Sequence, residues 1–174
     1  MGKRILINLW RQVLIAFEGN GTIYTFDCVS GDARHPTEEV EEFVPGKGIV
    51  KHISGNVVKH KVIRKQHPCH STKYNAQMNY ALFFTNDGKA IHQGEVVEPL
   101  SYLKTGFGLL AGVGGALGPI IGSHGCVRLS KDNAEKLYTW ASIGTSVIIV
   151  GHANEFWNSL GDKATLEDAG VPHL

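Results

Sequence analysis

A cysteine and a histidine stand two positions apart in a short glycine-containing segment of this 174-residue chain. The segment reads Ser123-His124-Gly125-Cys126-Val127-Arg128-Leu129. Covalent cysteine chemistry requires a thiolate, a nearby proton acceptor and hydrogen-bond donors directed at a developing oxyanion. Cys126 offers the thiol, His124 offers an imidazole, and Gly125 lets the backbone approach a substrate closely because it has no side chain. A buried structural thiol is the alternative interpretation of Cys126, since cysteine is also a common small core residue.

The segment resembles the signature of the L,D-transpeptidase (YkuD-like) catalytic domain, in which Ser/Thr-His-Gly-Cys precedes an apolar residue and Arg or Asn. An upstream histidine, His92, follows a strand-like stretch at residues 80–84 and a turn at residues 86–89, as in that family. Residues 5–30 resemble the family's opening hairpin, and residues 130–150 its closing helix and strand. The resemblance covers about residues 4–151 and rests on several motifs that occur in the right order.

The resemblance assigns catalytic roles to four residues around the thiol. It implies that Cys126 is the nucleophile and that His92 is the general base, with the ring oriented by the backbone carbonyl of Gln93. Such a base needs one ring nitrogen facing the sulfur and the other held by an acceptor. His124 is the rival base, or has a structural and electrostatic role in the turn. The amides of His124, Gly125 and Cys126 are candidates for an oxyanion hole.

The candidates for substrate binding are Arg128, Ser123, Tyr80 and Gln93. Arg128 is suited to hold a substrate carboxylate because a guanidinium binds carboxylates in a bidentate way; a structural ion pair is the alternative. Ser123 is expected to brace the turn by hydrogen bonding. Tyr80 resembles a tyrosine of the family's substrate groove, although a core tyrosine is equally compatible with the sequence. Residues 67–70, His-Pro-Cys-His, are too crowded for a zinc site and lack a second ligand pair, so we predict an exposed loop, no metal and no cofactor.

Thirty residues separate His92 from Ser123, more than is typical of the family. The additional length is a Gly-rich, apolar stretch at residues 96–121. A long insertion adds little closure entropy, and a loop of this length beside a site is often functional. We expect residues 96–121 to form a cap over Cys126; an apolar segment packed into the core or against a second subunit is the alternative.

Length and charge exclude several classes of protein. The chain is long enough for one domain with a proper core, and its formal net charge is +1. The most basic stretch, residues 59–65, alternates as a half-exposed strand does, so we predict no nucleic-acid partner. Residues 109–121 are too short and too interrupted by glycine and proline to span a membrane.

The cysteine count and the N-terminus bear on the compartment. Three cysteines with scattered spacing are no disulfide framework, which agrees with a reducing compartment. The first residues lack an uninterrupted apolar core and a cleavage site. We therefore expect a cytoplasmic protein, or a periplasmic one if the sequence is truncated or delivered by a non-classical route.

Periodicity predicts a mainly β fold, a sandwich or barrel, with one principal helix after Cys126. Alternation predicts strands over residues 6–17 and 22–29, joined by an Asn-Gly turn, and strands over residues 48–53 and 57–65. Residues 36–43 could form one or two helical turns. The principal helix should begin at Ser130 and end at Gly144, with a β-branched strand at residues 145–150. The tail, residues 152–174, has one short helical stretch around Phe156.

The resemblance implies acyl transfer at the L,D bond between diaminopimelate and D-alanine in peptidoglycan tetrapeptides. Water as the acceptor gives an L,D-carboxypeptidase of cytoplasmic murein recycling, and an amine gives an L,D-transpeptidase. One alternative is an antibacterial effector with the same chemistry, which would come with an immunity protein. Another is a non-catalytic murein-binding module. The sequence carries no indication of the oligomeric state.

Overall fold

The computed structural model describes residues 2–31, 35–72, 75–94 and 125–152. The strands are β1 Lys3–Asn8, β2 Val13–Glu18, β3 Gly21–Asp27, β4 Glu39–Val44, β5 Gly48–Ile53, β6 Val57–Lys61, β7 Arg64–Gln66, β8 His70–Ser71, β9 Ala76–Gln77, β10 Ala81–Phe83, β11 Ala90–Gln93, β12 Val127–Leu129 and β13 Ser146–Val150. Within these ranges there is one helix, α1, at Lys131–Trp140. None of the described ranges contains a helix with the length and apolar character needed to cross a membrane.

The larger sheet joins the two ends of the domain. Its strand order is β3-β2-β1-β13-β6, and β1 runs parallel to β13. Strand alternation turns Ile5 and Ile7 of β1 to the same side as their partners Val147 and Ile149 of β13, and all four are buried. The predicted strand over residues 6–17 is wrong, because the chain turns at residues 9–12 and returns as β2.

The smaller sheet carries the candidate catalytic residues. Its order is β12-β11-β10-β7, with β11 and β12 parallel. The main core lies between the two sheets and α1, and it includes Leu14 of the larger sheet, Leu82 and Ile91 of the smaller sheet, and Leu137 of the helix. The fold is therefore mainly β, as the sequence predicts, and the sheets of the described ranges do not close into a barrel.

Two secondary-structure predictions are corrected. Residues 36–43 do not form helical turns, because β4 pairs with β5, and Lys51 of β5 lies 3.3 Å from both Glu39 and Glu41 on one face of the hairpin. The helix begins after Ser130 as predicted, but it ends at Trp140 rather than at Gly144. Residue 141 is already extended, and the positive φ of Gly144 belongs to the turn that follows.

Of the remaining predictions, those on β5 to β7 can be compared with the structure, whereas those on the cap and the tail cannot. Strand β5 matches the predicted range 48–53, and β6 and β7 together replace the single strand predicted over residues 57–65. The predicted cap at residues 96–121 lies outside the described residues. So does the C-terminal tail beyond His152, including the predicted helical stretch.

Candidate active site

Parallel pairing of β11 and β12 brings Cys126 and His92 to one face of the smaller sheet. The register joins Ile91 to Val127 and His92 to Arg128. Ile91 and Val127 point into the main core, so Ala90, His92 and Arg128, with Cys126 just before β12, take the opposite face. From strand spacing and rise, the Cα atoms of Cys126 and His92 lie about 8 Å apart, which side chains on one face can bridge.

Cys126 is only partly buried, in contrast to the other two cysteines. Its side chain packs against a small cluster that includes Ala90 and Phe83, and its Sγ lies 4.0 Å from the carbonyl oxygen of Gly88. Cys28 lies in the main core, as predicted, and Cys69 is buried beneath the exposed residues of the predicted loop. The described cysteine that solvent can reach most readily is therefore Cys126.

The environment of the Cys126 thiol contains opposing influences. Burial raises the pKa of Cys126, and the negative charge of Asp87 acts in the same direction. A hydrogen bond from the backbone of Ala90 and the positive charges of Lys89 and Arg128 lower it. Burial prevails, so the resting sulfur is a thiol that has to lose its proton when it attacks.

His92 meets one of the two conditions for a base, because an acceptor holds one of its ring nitrogens. The residue is only 6% exposed, and Nδ1 lies 2.5 Å from the carbonyl oxygen of Gln93. Because a carbonyl can only accept, Nδ1 carries the hydrogen and Nε2 keeps its lone pair. Burial lowers the pKa of His92 to about 4. The hydrogen bond to Gln93 acts to raise this pKa, and the nearby positive charge of Arg128 acts to lower it. At neutral pH, His92 is therefore an uncharged imidazole able to accept a proton.

Gly125 occupies a position that only glycine fits without strain. Its φ is +89°, and a Cβ atom there would lie 3.1 Å from Cε of Lys89. Gly31 lies in the segment that follows β3, and a Cβ atom there would lie 2.9 Å from the Gly125 Cα. The turn before Cys126 is thus packed closely against backbone and a side-chain stem.

Arg128 is anchored through its backbone to the end of the N-terminal strands. The Arg128 N–H donates to the Val29 carbonyl at 2.8 Å, and the Val29 N–H donates in return at 3.0 Å. The aliphatic part of the Arg128 side chain lies over Gly94, where a Cβ would come within 2.5 Å of the arginine Cδ. The guanidinium is therefore carried beside the end of β11, near His92.

Gln12 supports this arrangement, and the sequence had given no indication of it. Its buried side chain donates to the Leu9 carbonyl and to Ser30 Oγ, both at 2.8 Å, and accepts from the Ser30 N–H at 2.8 Å. Ser30 follows Val29, so this network fixes the segment that bridges to Arg128. Gln12 has a positive φ of 50°, which marks a tight turn between β1 and β2. The predicted single strand over residues 6–17 did not include this turn.

Tyr80 is not brought to the face that carries Cys126. Its ring stacks on His67 at a centroid distance of 3.9 Å and meets Tyr138 of α1 edge to face at 5.9 Å. Burial and the neighbouring Glu135 of α1 raise the pKa of Tyr80. The structure therefore places Tyr80 in a partly buried aromatic cluster beside the helix, and its role in substrate binding stays a prediction.

Two other predicted site residues, Ser123 and His124, lie outside the described residues. Within the described ranges, no three His, Cys, Asp or Glu side chains converge in a way that could hold a metal ion. The sequence missed Lys89, which is almost fully buried and lies directly against Gly125. A lysine that follows an Asn-Asp-Gly turn is expected to be exposed, and nothing local indicates otherwise.

Comparison with known proteins shows the family of this chain. The sequence profile of the YkuD family, described as the L,D-transpeptidase catalytic domain, matches residues 2–149. The chain belongs to this family. No curated protein sequence matches the chain.

Solved structures of L,D-transpeptidases share the fold of this YkuD domain. It is similar to an L,D-transpeptidase from Stackebrandtia nassauensis, with a TM-score of 0.59 and 22% identity over 87% of this chain and 56% of that one. An L,D-transpeptidase from Mycobacterium smegmatis has a TM-score of 0.55 and 15% identity, over 86% of this chain and 58% of that one. An L,D-transpeptidase from Xylanimonas cellulosilytica has a TM-score of 0.53 and 23% identity, over 85% of this chain and 60% of that one. The chain thus spans between 56% and 60% of the length of these three structures.

Proposed function

We propose that this YkuD domain is a cysteine acyl-transfer enzyme that cleaves the L,D bond between diaminopimelate and D-alanine in peptidoglycan tetrapeptides. The observation that carries the proposal is that Cys126 and His92 lie on the same face of the smaller sheet. The Gln93 carbonyl holds Nδ1–H of His92, so the ring keeps the lone pair that accepts a proton on Nε2. Family membership and the L,D-transpeptidase neighbours support the substrate class.

In the proposed reaction, Nε2 of His92 takes the proton of the Cys126 thiol as the sulfur attacks the diaminopimelate carbonyl carbon. The tetrahedral oxyanion is stabilised by backbone N–H groups of the turn at Gly125 and Cys126. The C–N bond then breaks, D-alanine leaves with the proton from His92, and a thioester remains on Cys126. Arg128 is positioned to pair with a carboxylate of the stem peptide.

The acceptor decides which product forms. Attack by water on the thioester gives L,D-carboxypeptidase activity, and attack by the side-chain amine of a second stem gives a cross-link. Both routes use the same acyl-enzyme, so both are part of the proposal. A cytoplasmic location stays a prediction, which fractionation of cells would test. In that compartment the substrates would be free muropeptides from murein recycling.

The decisive experiment follows the mass of a disaccharide tetrapeptide incubated with the purified protein. Loss of one alanine unit indicates hydrolysis, and a dimeric product indicates transpeptidation. The Cys126→Ala variant is the matched control and should give neither product. An unchanged substrate with the unsubstituted protein would contradict the proposal and favour a murein-binding module.

A further inference from the structure

Lys89 carries a buried cation to the turn that precedes Cys126. Its side chain is 8% exposed, and Nζ donates to the Glu39 carbonyl oxygen at 2.6 Å. Its methylene groups lie against Gly125, as the 3.1 Å approach to a Cβ there indicates. The Lys89 side chain therefore runs from the start of β11, past the Gly125 turn, to the start of β4.

The backbone of Lys89 is fixed as firmly as its side chain. Its N–H donates to Thr85 Oγ1 at 2.9 Å, and its carbonyl accepts from the Phe84 N–H at 3.0 Å. A buried lysine is unfavourable unless its charge is paired or hydrogen-bonded. The Lys89 stem is fixed beneath Gly125, and its ammonium is held by a backbone carbonyl. Lys89 therefore differs from an ordinary surface lysine, whose ammonium is solvated.

Charged and titratable groups surround this lysine and Cys126 from several elements. They are Glu38 and Glu39 at β4, Lys51 on β5, His60 on β6, Asp87 in the turn before β11, His92 on β11 and Arg128 on β12. The Glu39 carboxylate lies 4.0 Å from Lys89 Nζ, but it is also 3.3 Å from Lys51. Lys51 and Lys89 therefore both lie close to the Glu39 carboxylate, with Lys51 at the shorter distance.

We propose that Lys89 is a positioning residue of the active site: its stem supports the Gly125 turn, and its ammonium favours the thiolate form of Cys126. The inference rests on the proposed function only in taking Cys126 as the nucleophile. Electrostatics agree with it, since the charge of Lys89 lowers the pKa of Cys126 and that of Asp87 raises it. Burial lowers the pKa of Lys89 itself, while Asp87 and Glu39 oppose that shift.

The test measures the thiol directly and needs no peptidoglycan substrate. The rate of Cys126 alkylation by iodoacetamide is followed against pH, with the modified peptide quantified by mass spectrometry. Lys89→Met keeps the stem but removes the charge and the donor. Lys89→Gln keeps a donor without the charge, and Lys89→Arg keeps the charge. Circular dichroism and thermal melting identify variants that fail to fold.

The proposal predicts that the midpoint of the alkylation profile rises in Lys89→Met and Lys89→Gln, by up to about one pH unit, the lower end of the shift that an adjacent opposite charge produces. Lys89→Arg should return the midpoint to within a few tenths of a unit. Asp87→Asn, which removes the opposing charge, should lower the midpoint. Because this last change leaves Lys89 in place, it checks separately that charges beside the Gly125 turn act on the thiol.

Several outcomes would overturn the inference. A folded Lys89→Met protein with the unsubstituted midpoint would exclude the charge effect of Lys89. A raised midpoint in Asp87→Asn would contradict the premise that charges beside the Gly125 turn act directly on the thiol. A normal midpoint in Lys89→Gln would assign the effect to the hydrogen bond alone. The proposed function fails separately, if the tetrapeptide is not processed while the alkylation midpoints still move as predicted.

Discussion

Replacing Gly125 by alanine tests the tight packing of the turn that carries Cys126. The residue has a φ of +89°, where an L-residue with a side chain is strained by about 1–2 kcal/mol. The new methyl group would also lie 3.1 Å from Lys89 Cε, 3.4 Å from Cδ and 3.5 Å from Cγ. Overpacking of this kind costs about 1–3 kcal/mol more. We expect a total loss of about 2–5 kcal/mol of unfolding free energy.

The chain offers a matched control for this substitution. Gly144 has the same φ of +89°, but a Cβ there would meet nothing within 4 Å. Gly144→Ala should therefore show the backbone strain alone, about 1–2 kcal/mol, with turnover close to that of the unsubstituted protein. The difference between the two variants isolates the contact with Lys89.

Differential scanning calorimetry and tetrapeptide turnover would measure the outcome. For a domain of this size each kcal/mol lowers Tm by about 2–4 °C, so Gly125→Ala should melt about 2–12 °C below Gly144→Ala. Its kcat should fall at least about tenfold, because small displacements of a nucleophile are costly. Equal melting temperatures and equal rates for the two variants would refute the packing argument.

Three further predictions address the thiol, the base and the support of Arg128. Cys126→Ala should abolish turnover with the fold intact, whereas Cys28→Ala and Cys69→Ala should remain active; substantial product from the first variant would exclude the mechanism. His92, with a folded pKa of about 4 against an ordinary 6.5, binds its proton more readily in the unfolded chain. Its contribution to stability is complete above pH 6.5 and falls by about 3 kcal/mol as the pH drops to about 4. His92→Gln should flatten this part of the Tm–pH curve and lower kcat about 10²–10⁴-fold, and an equally steep curve would contradict the assignment. Gln12→Ala leaves buried backbone groups without partners and should lower the urea midpoint by the equivalent of about 2–3 kcal/mol, with a change under about 0.5 kcal/mol counting against the network.

Local sequence patterns predicted much of the fold because they depend on short-range properties. The β-branched run in β13, the alternation in β5 and the start of α1 at Ser130 follow from residue preferences and side-chain periodicity. The prediction failed at residues 36–43, where acidic residues suggested helical turns. There β4 forms because β5 returns alongside it and places Lys51 opposite its glutamates.

The candidate site shows the same division. The sequence by itself, through its resemblance to the family, predicted Cys126 and His92 as the catalytic pair and the Gln93 carbonyl as the acceptor for the ring, and the structure contains that last contact. Only the tertiary structure turned Tyr80 toward α1, and only it buried Lys89 beneath Gly125. Both outcomes depend on segments distant in the chain, since whether a tyrosine or lysine is buried is decided by which surfaces meet there.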